Sequence, residues 1–392
     1  PTPAAGLEER APETKCRVLD ILSGMKSDAA GKAAEVAKAL SDEAETVRAR
    51  AASCLADIRA DLRAVQKPLF ESAAREKVPA VRVEAIRTLS LIGRDARVVG
   101  LLFDGLGDAE PKVVKASLDG FANLKPALGK EDLPVIGPRL ASQVAPVRRQ
   151  AYESLRATGA DGVVHAREVA TGLVDQDPAV VLSSLQCARH YPDRIQDGCG
   201  TVVRILDQKY AESQDDRIAI ACLEYLAHFG PKAAGAIPAL RRIAKDGQHG
   251  TRTVPMLRLV QALGAEGHPL VPDLTRLVTK PQVQGYVNNQ ADAVELKKMI
   301  LKTGNNLALR DALAATGQKG AKALAQNLVN PDPMIQVFSL ICLENMGRDT
   351  QEVLGQIFRL TVRQNARNAA VWFSAQLAYG KLEGQRVAVN RP

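Results

Sequence analysis

The chain has 392 residues, a formal net charge of +8, 46 % apolar residues and only 4 % aromatic ones. That is enough apolar content for a large core, and the absence of any 18-residue apolar run argues against a membrane span. The charge is uneven: +3 over residues 1–150, −5 over 151–230 and +10 over 231–392. An anionic partner is therefore expected only of the last part.

The chain opens on Pro1, which reads as a processed or trimmed product, with residues 1–14 as a flexible leader. The compartment, cytoplasmic or exported, stays open on this reading. From there a frame recurs every 30 to 38 residues. It runs Val81-x-x-x-Ala85-x-x-x-Leu89-x-x-x-Gly93, then Val147, Ala151, Leu155, Gly159. It returns as Ile218, Cys222, Leu226, Gly230 and as Ile335, Ser339, Leu343, Gly347. Residues four apart share one helical stripe, so the Val/small/Leu columns predict the buried face of the second helix of each repeat. Gly93, Gly159, Gly230, Gly264, Gly317 and Gly347 follow as left-handed helix stops. A preceding helix in each unit, such as Ala96–Leu106 or Val163–Val174, supplies the other half of the core. A repeat at this period means a stacked helical array in which each unit packs on its neighbours.

Six cysteines occur without a C-x-x-C pair, so metal and redox motifs have no support. Cys54, Cys187 and Cys342 share one repeat column with Thr88, Gly120 and Ser154, which reads as a small packing site. Cys187 and Cys199 are close enough in sequence to be bridged, and the periodicity does not require it. The five histidines are dispersed, and no nucleophile, phosphate-loop or zinc motif is present. No catalytic residue, metal site or cofactor is expected.

The rhythm fails at 280–303, where the repeat spacing widens to 53 residues. This stretch reads as an irregular insertion followed by a helix over Asp292–Leu301. It is either a binding loop or a spacer. The array resumes over 304–365, and 366–392 reads as a capping helix and tail, with Trp372 covering the last repeat.

Gly230-Pro231-Lys232-Ala233-Ala234-Gly235-Ala236-Ile237-Pro238-Ala239-Leu240, Gly264-Ala265-Glu266-Gly267-His268-Pro269-Leu270-Val271-Pro272 and the Val-Arg-x-x-Ala-x-x-x-Leu helices resemble bacterial HEAT-like repeats. The resemblance covers about residues 15–365, apart from 280–303. It implies an all-α fold, a right-handed α-solenoid (superhelix) of roughly 9–11 antiparallel helix pairs by the repeat period. It also implies a structural ladder between turn acids (Asp42, Glu76, Asp108, Asp175) and helix arginines (Arg48, Arg82, Arg148). Val114, Val181 and Ala219 lack the arginine, so the ladder is expected to break there.

The function that follows is a non-enzymatic scaffold holding a protein or peptide on its concave face, through exposed second-helix positions beside the stripe. The candidate partner-binding residues are Arg241, Arg242, Arg258, Gln284, Tyr286, Asn288, Lys297, Lys298, Arg359, Arg363 and Arg367. Arg359, Arg363 and Arg367 align only if one helix runs through all three. The alternatives are a nucleic-acid or other polyanion binder using the basic C-terminal part, and an accessory subunit of an enzyme complex.

Overall fold

A computed structural model describes residues 7–8, 11–58, 62–210, 215–245, 250–282, 287–366 and 368–389, with backbone alone at 210 and 386–389. Most of the expected leader lies outside these residues, and the first helix already begins at Pro12. The chain divides into two compact units, residues 1–194 and 195–392. Among the described residues every regular element is helical.

Unit 1 opens with α1 (Pro12–Met25). Five hairpins follow: α2 (Ala33–Lys38) with α3 (Glu45–Asp57), α4 (Gln66–Arg75) with α5 (Pro79–Ser90), α6 (Ala96–Gly105) with α7 (Pro111–Asn123), α8 (Leu133–Ile136) with α9 (Ala145–Ala157), and α10 (Ala166–Gly172) with α11 (Pro178–Ala188). Several of the short first helices are extended by 3₁₀ turns. Second helices stack on second helices, α3 on α5, α5 on α7 and α9 on α11.

Unit 2 repeats the plan: α12 (Gly198–Ile205) with α13 (Asp216–Leu226), and α14 (Ile237–Lys245) with α15 (Thr253–Leu263). In the next hairpin α16 (Val271–Leu274) is separated from its partner by an added helix, α17 (Gln290–Lys302), before α18 (Asn306–Ala314). Then come α19 (Gly317–Gln326) with α20 (Pro333–Met346), and α21 (Leu354–Thr361) with α22 (Ala369–Val389). The second helices stack in series, α13 on α15, α15 on α18, α18 on α20, α20 on α22. This is an all-α architecture of helical hairpins packed neighbour to neighbour, as the repeat period predicts.

The frame columns are the core. Val47, Ala51 and Leu55, like Val81, Ala85 and Leu89, are fully buried. Each large member contributes about 1.5–3 kcal/mol by leaving water. Proline at the first turn starts α5, α7, α9, α11 and α20, where its missing N–H costs nothing. The six stop glycines all have positive φ. The geometry of Gly230, Gly264 and Gly347 differs from the expected left-handed cap, with ψ of −133°, −132° and −114°. Gly230, at φ 55° and ψ −133°, lies in a region that is strained for residues with a Cβ, and it turns the chain directly into the next repeat. Lys26 holds the same conformation after α1, at φ 51° and ψ −128°, without being glycine.

All six cysteines carry free thiols. Cys54, Cys187 and Cys342 are fully buried in their shared column, as is Cys222.

The charged ladder is built as the resemblance implies. Arg48 is paired in two-point fashion with Glu76, Arg82 with Asp108 and Arg148 with Asp175, at 2.6–3.0 Å. Each arginine also donates to two carbonyls of its own turn, for instance Arg82 to Glu76 and Lys77. Each acid in turn accepts from the backbone N–H two residues on. The rung that would join Val114 to Ser142 has lost both partners together, and Arg148 resumes it. In unit 2, Asn330 and Gln336 occupy the same two columns without charge, and Gln336 donates to the Asn330 carbonyl.

Candidate functional site

The second helices have one face toward the first helices and another set of positions beside the stripe. Those positions lie three, six and nine residues after the first frame residue. In α3 they are Arg50, Ser53 and Ala56; in α5, Glu84, Arg87 and Ser90; in α7, Ala116, Asp119 and Ala122. All but Arg50 line one cleft of about 530 Å³ that runs across α3, α5 and α7.

The chemistry of this cleft follows from its residues. Ser53, Ala56, Ser90, Ala116, Gly120 and Ala122 are short, so no long side chain of theirs fills the groove between the three adjacent helices. Charges of both signs stand among them: Glu84, ion-paired with Arg87 at 2.8 Å, and Asp119, paired with Lys115 at 2.8 Å. Leu91 is 62 % exposed at the margin, an apolar contact left in water. No nucleophile and base converge here. Among the described residues no group of three or more His, Cys, Asp or Glu side chains is placed to hold a metal ion, and no helix is long and apolar enough to cross a membrane.

In unit 2 the same positions are differently filled and differently covered. On α20 they are Phe338, Ile341 and Glu344, exposed by only 0, 3 and 8 %. The added helix α17 packs on α18, α20 and α22. It buries Ala293, Leu296 and Ile300. Lys297 of α17 reaches both carboxylate oxygens of Glu344 at 2.7 Å, and Lys381 of α22 reaches one of them at 3.0 Å. Burial alone would raise the Glu344 carboxyl above its ordinary range; the hydrogen bonds from the two lysines outweigh it and hold the group below that range.

The candidate residues of the basic half are scattered among other duties. Arg241 pairs with Asp273 at 3.0 Å, Arg242 with Asp207 at 2.5 Å, and Lys298 with Glu295 at 2.7 Å. Lys297 is engaged by Glu344. Asn288 precedes α17 and donates its backbone N–H to Asp292. Arg258 is exposed, six residues into the α15 frame and so in register with the unit 1 cleft positions. Gln284, Tyr286 and Arg367 lie outside the described residues.

The arginine stripe does not run along one helix. α21 ends at Thr361, with Val362 extended, so exposed Arg359 is helical and exposed Arg363 is not. Side chains end this helix by taking its last carbonyls: Asn365 Nδ2 donates to Arg359 and Trp372 Nε1 to Thr361. The Arg363 guanidinium stacks 5.5 Å from the Trp372 ring. Trp372 thus joins the last two helices.

The cleft belongs to unit 1, whereas the residues that charge alone singled out belong to unit 2. Its signal in the sequence is the run of short residues at fixed offsets from the stripe.

Residues 33–122 match the family model for HEAT repeats. Over that segment the chain carries HEAT repeats. The matched segment takes in α2 to α7 up to Ala122, and with them all of the cleft but Asn123. Two solved structures align along most of the chain. An engineered protein, a structural-genomics target, is 14 % identical over 97 % of this chain and 98 % of its own, with a TM-score of 0.39. Kap121p is 11 % identical over 97 % of this chain, with a TM-score of 0.45. The alignment spans 44 % of Kap121p, less than half its length. Likenesses this distant carry no argument about function. No curated protein matches the sequence.

Proposed function

We propose that this HEAT-repeat chain is a non-enzymatic scaffold that holds a protein or peptide segment in the α3–α5–α7 cleft. The cleft itself carries the reading. Three second helices present short residues side by side, so a partner's side chains can reach the floor while its polar groups meet Glu84, Arg87 and Asp119. HEAT-repeat folds serve in general as repeat scaffolds, which agrees with this use.

The test is peptide selection on the full chain from a random library, followed by binding to an Ala122→Trp variant. A tryptophan there fills the cleft without touching the frame columns. Selected peptides are expected to lose at least tenfold in affinity, about 1.4 kcal/mol. Equal binding to both proteins, with helical content unchanged, would show that the cleft is not the site.

The polyanion reading has weaker support. Of its candidate cations, Arg241, Arg242, Lys297 and Lys298 are ion-paired to acids of the same chain, while Arg258, Arg359 and Arg363 are exposed. Heparin binding that falls steeply with salt would favour it, and no binding at low salt would remove it.

A further inference from the structure

α17 is an addition to a stack that is already complete without it. α18 packs on α15 before it and α20 after it, as any second helix does. The chain leaves the hairpin at Thr279 and rejoins it at Asn306, and these two residues are tied directly. Asn306, 1 % exposed, accepts the Thr279 N–H at 2.9 Å and donates Nδ2 to the Thr279 carbonyl at 2.7 Å. The base of the excursion is thus closed by Asn306, which also donates Nδ2 to the Ile300 carbonyl in the last turn of α17 at 2.8 Å.

The surface under α17 is composed for a ligand of a definite kind. Where α5 and α7 offer Glu84, Arg87, Ser90 and Ala116, Asp119, Ala122, α20 carries Phe338, Ile341 and one acid, Glu344, and it is Glu344 that meets α17. α17 answers with Ala293, Leu296 and Ile300 at i, i+3 and i+7, and with Lys297 at i+4 for the acid. Glu344 also keeps Lys381 of α22 as a partner, so removing α17 does not leave a bare buried charge. An isolated helix of 13 residues is marginal in water, so α17 holds its shape through this contact.

We propose that α17 is an internal strap over a second docking face, on α18, α20 and α22. The external occupant of that face is an amphipathic helix of the same pattern, with apolar residues at i, i+3 and i+7 and a Lys or Arg at i+4. The face is separate from the α3–α5–α7 cleft, so Ala122→Trp leaves it untouched and the two ideas fail separately.

The experiment uses the full chain and a fluorescent peptide of residues 289–303. Binding is read by anisotropy against wild type and a Leu296→Asp/Ile300→Asp double variant, whose own strap is released. The variant is expected to bind the peptide at least tenfold more tightly than wild type does, about 1.4 kcal/mol. A peptide carrying Lys297→Glu is expected to bind at least tenfold more weakly to that variant. Hydrogen exchange on wild type is the second measurement and does not depend on the variant's folding. Amides of α17 should exchange well ahead of those of α20. Equal peptide binding to both proteins, no binding to a folded variant, or exchange of α17 only together with α20 would each overturn the proposal.

Discussion

The Asn306 side chain holds the backbone N–H and carbonyl of Thr279, 27 residues away in sequence, across the base of the added helix. Asn306 also donates to the Ile300 carbonyl at the end of α17, at 2.8 Å. One buried amide therefore serves three backbone groups that would otherwise be stranded. Asn306→Ala is expected to cost about 2–3 kcal/mol, the range for buried groups left without partners. Urea unfolding of the full chain measures it. A loss below about 0.5 kcal/mol would mean those groups find other partners.

The ladder has a vacant rung, with Val114 and half-buried Ser142 where Arg and Asp would stand. Val114→Arg together with Ser142→Asp should rebuild it, with a coupling energy of about 0.5–1 kcal/mol in a double-mutant cycle. Either change alone is expected to be near neutral or slightly destabilising. Zero coupling would show that the rungs are geometry without net stability.

The ladder acids make unit 1 acid-sensitive. For Glu76 the hydrogen bond from Arg48 lowers the carboxyl and burial opposes it. For Asp42, Asp108 and Asp175 burial raises the group, and the paired cations and backbone N–H donors outweigh it. All four are thus depressed in the folded state. Their contribution is present above the unfolded value of about 4 and is lost as pH falls through the folded values. The urea midpoint should therefore drop below about pH 4, with a shallower drop in Asp108→Asn, which starts less stable at pH 7.

Lys26 adopts a backbone conformation that suits glycine, and its side chain is exposed. Lys26→Gly should stabilise the chain by about 1 kcal/mol by relieving that strain. A raised thermal midpoint is the readout, and a lowered one would show that the lysine side chain supplies something the backbone does not reveal.

Burial divides the thiols. Cys187 is pushed up to about 11, and Cys222 and Cys342 are raised further by burial. Cys16 and Cys199 are partly accessible. At pH 8 a thiol reagent should label Cys16 and Cys199 in the native chain, and the other four only after unfolding. Native labelling of Cys54 or Cys342 would contradict the packed column.

The repeat was legible because it is local. Val81, Ala85 and Leu89 are neighbours on one helix, and Gly93 stops it, so four residues announce both the buried face and the turn. The ladder was legible only by family resemblance, because Arg82 and Asp108 meet across a stack. The ion-pair partners of the basic candidates were not legible, for a related reason. Charge counted along the chain does not show that Arg241 faces Asp273, that Lys297 faces Glu344, or that Trp372 and Asn365 end α21 before Arg363.

The sequence by itself determined the period, the core columns, the helix stops and the break at 280–303, since each is set by spacing within one or two helices. Only the tertiary structure decided which second-helix positions are open and which are covered. Ala56 and Ala122 keep part of their surface open at the cleft, while Glu344, at the equivalent place on α20, lies buried with α17 packed on its helix. That difference depends on where a helix inserted at 290–302 comes to rest on residues as much as 86 positions away, such as Gln376 beside Gln290. Contacts of that separation leave no periodic trace in the chain.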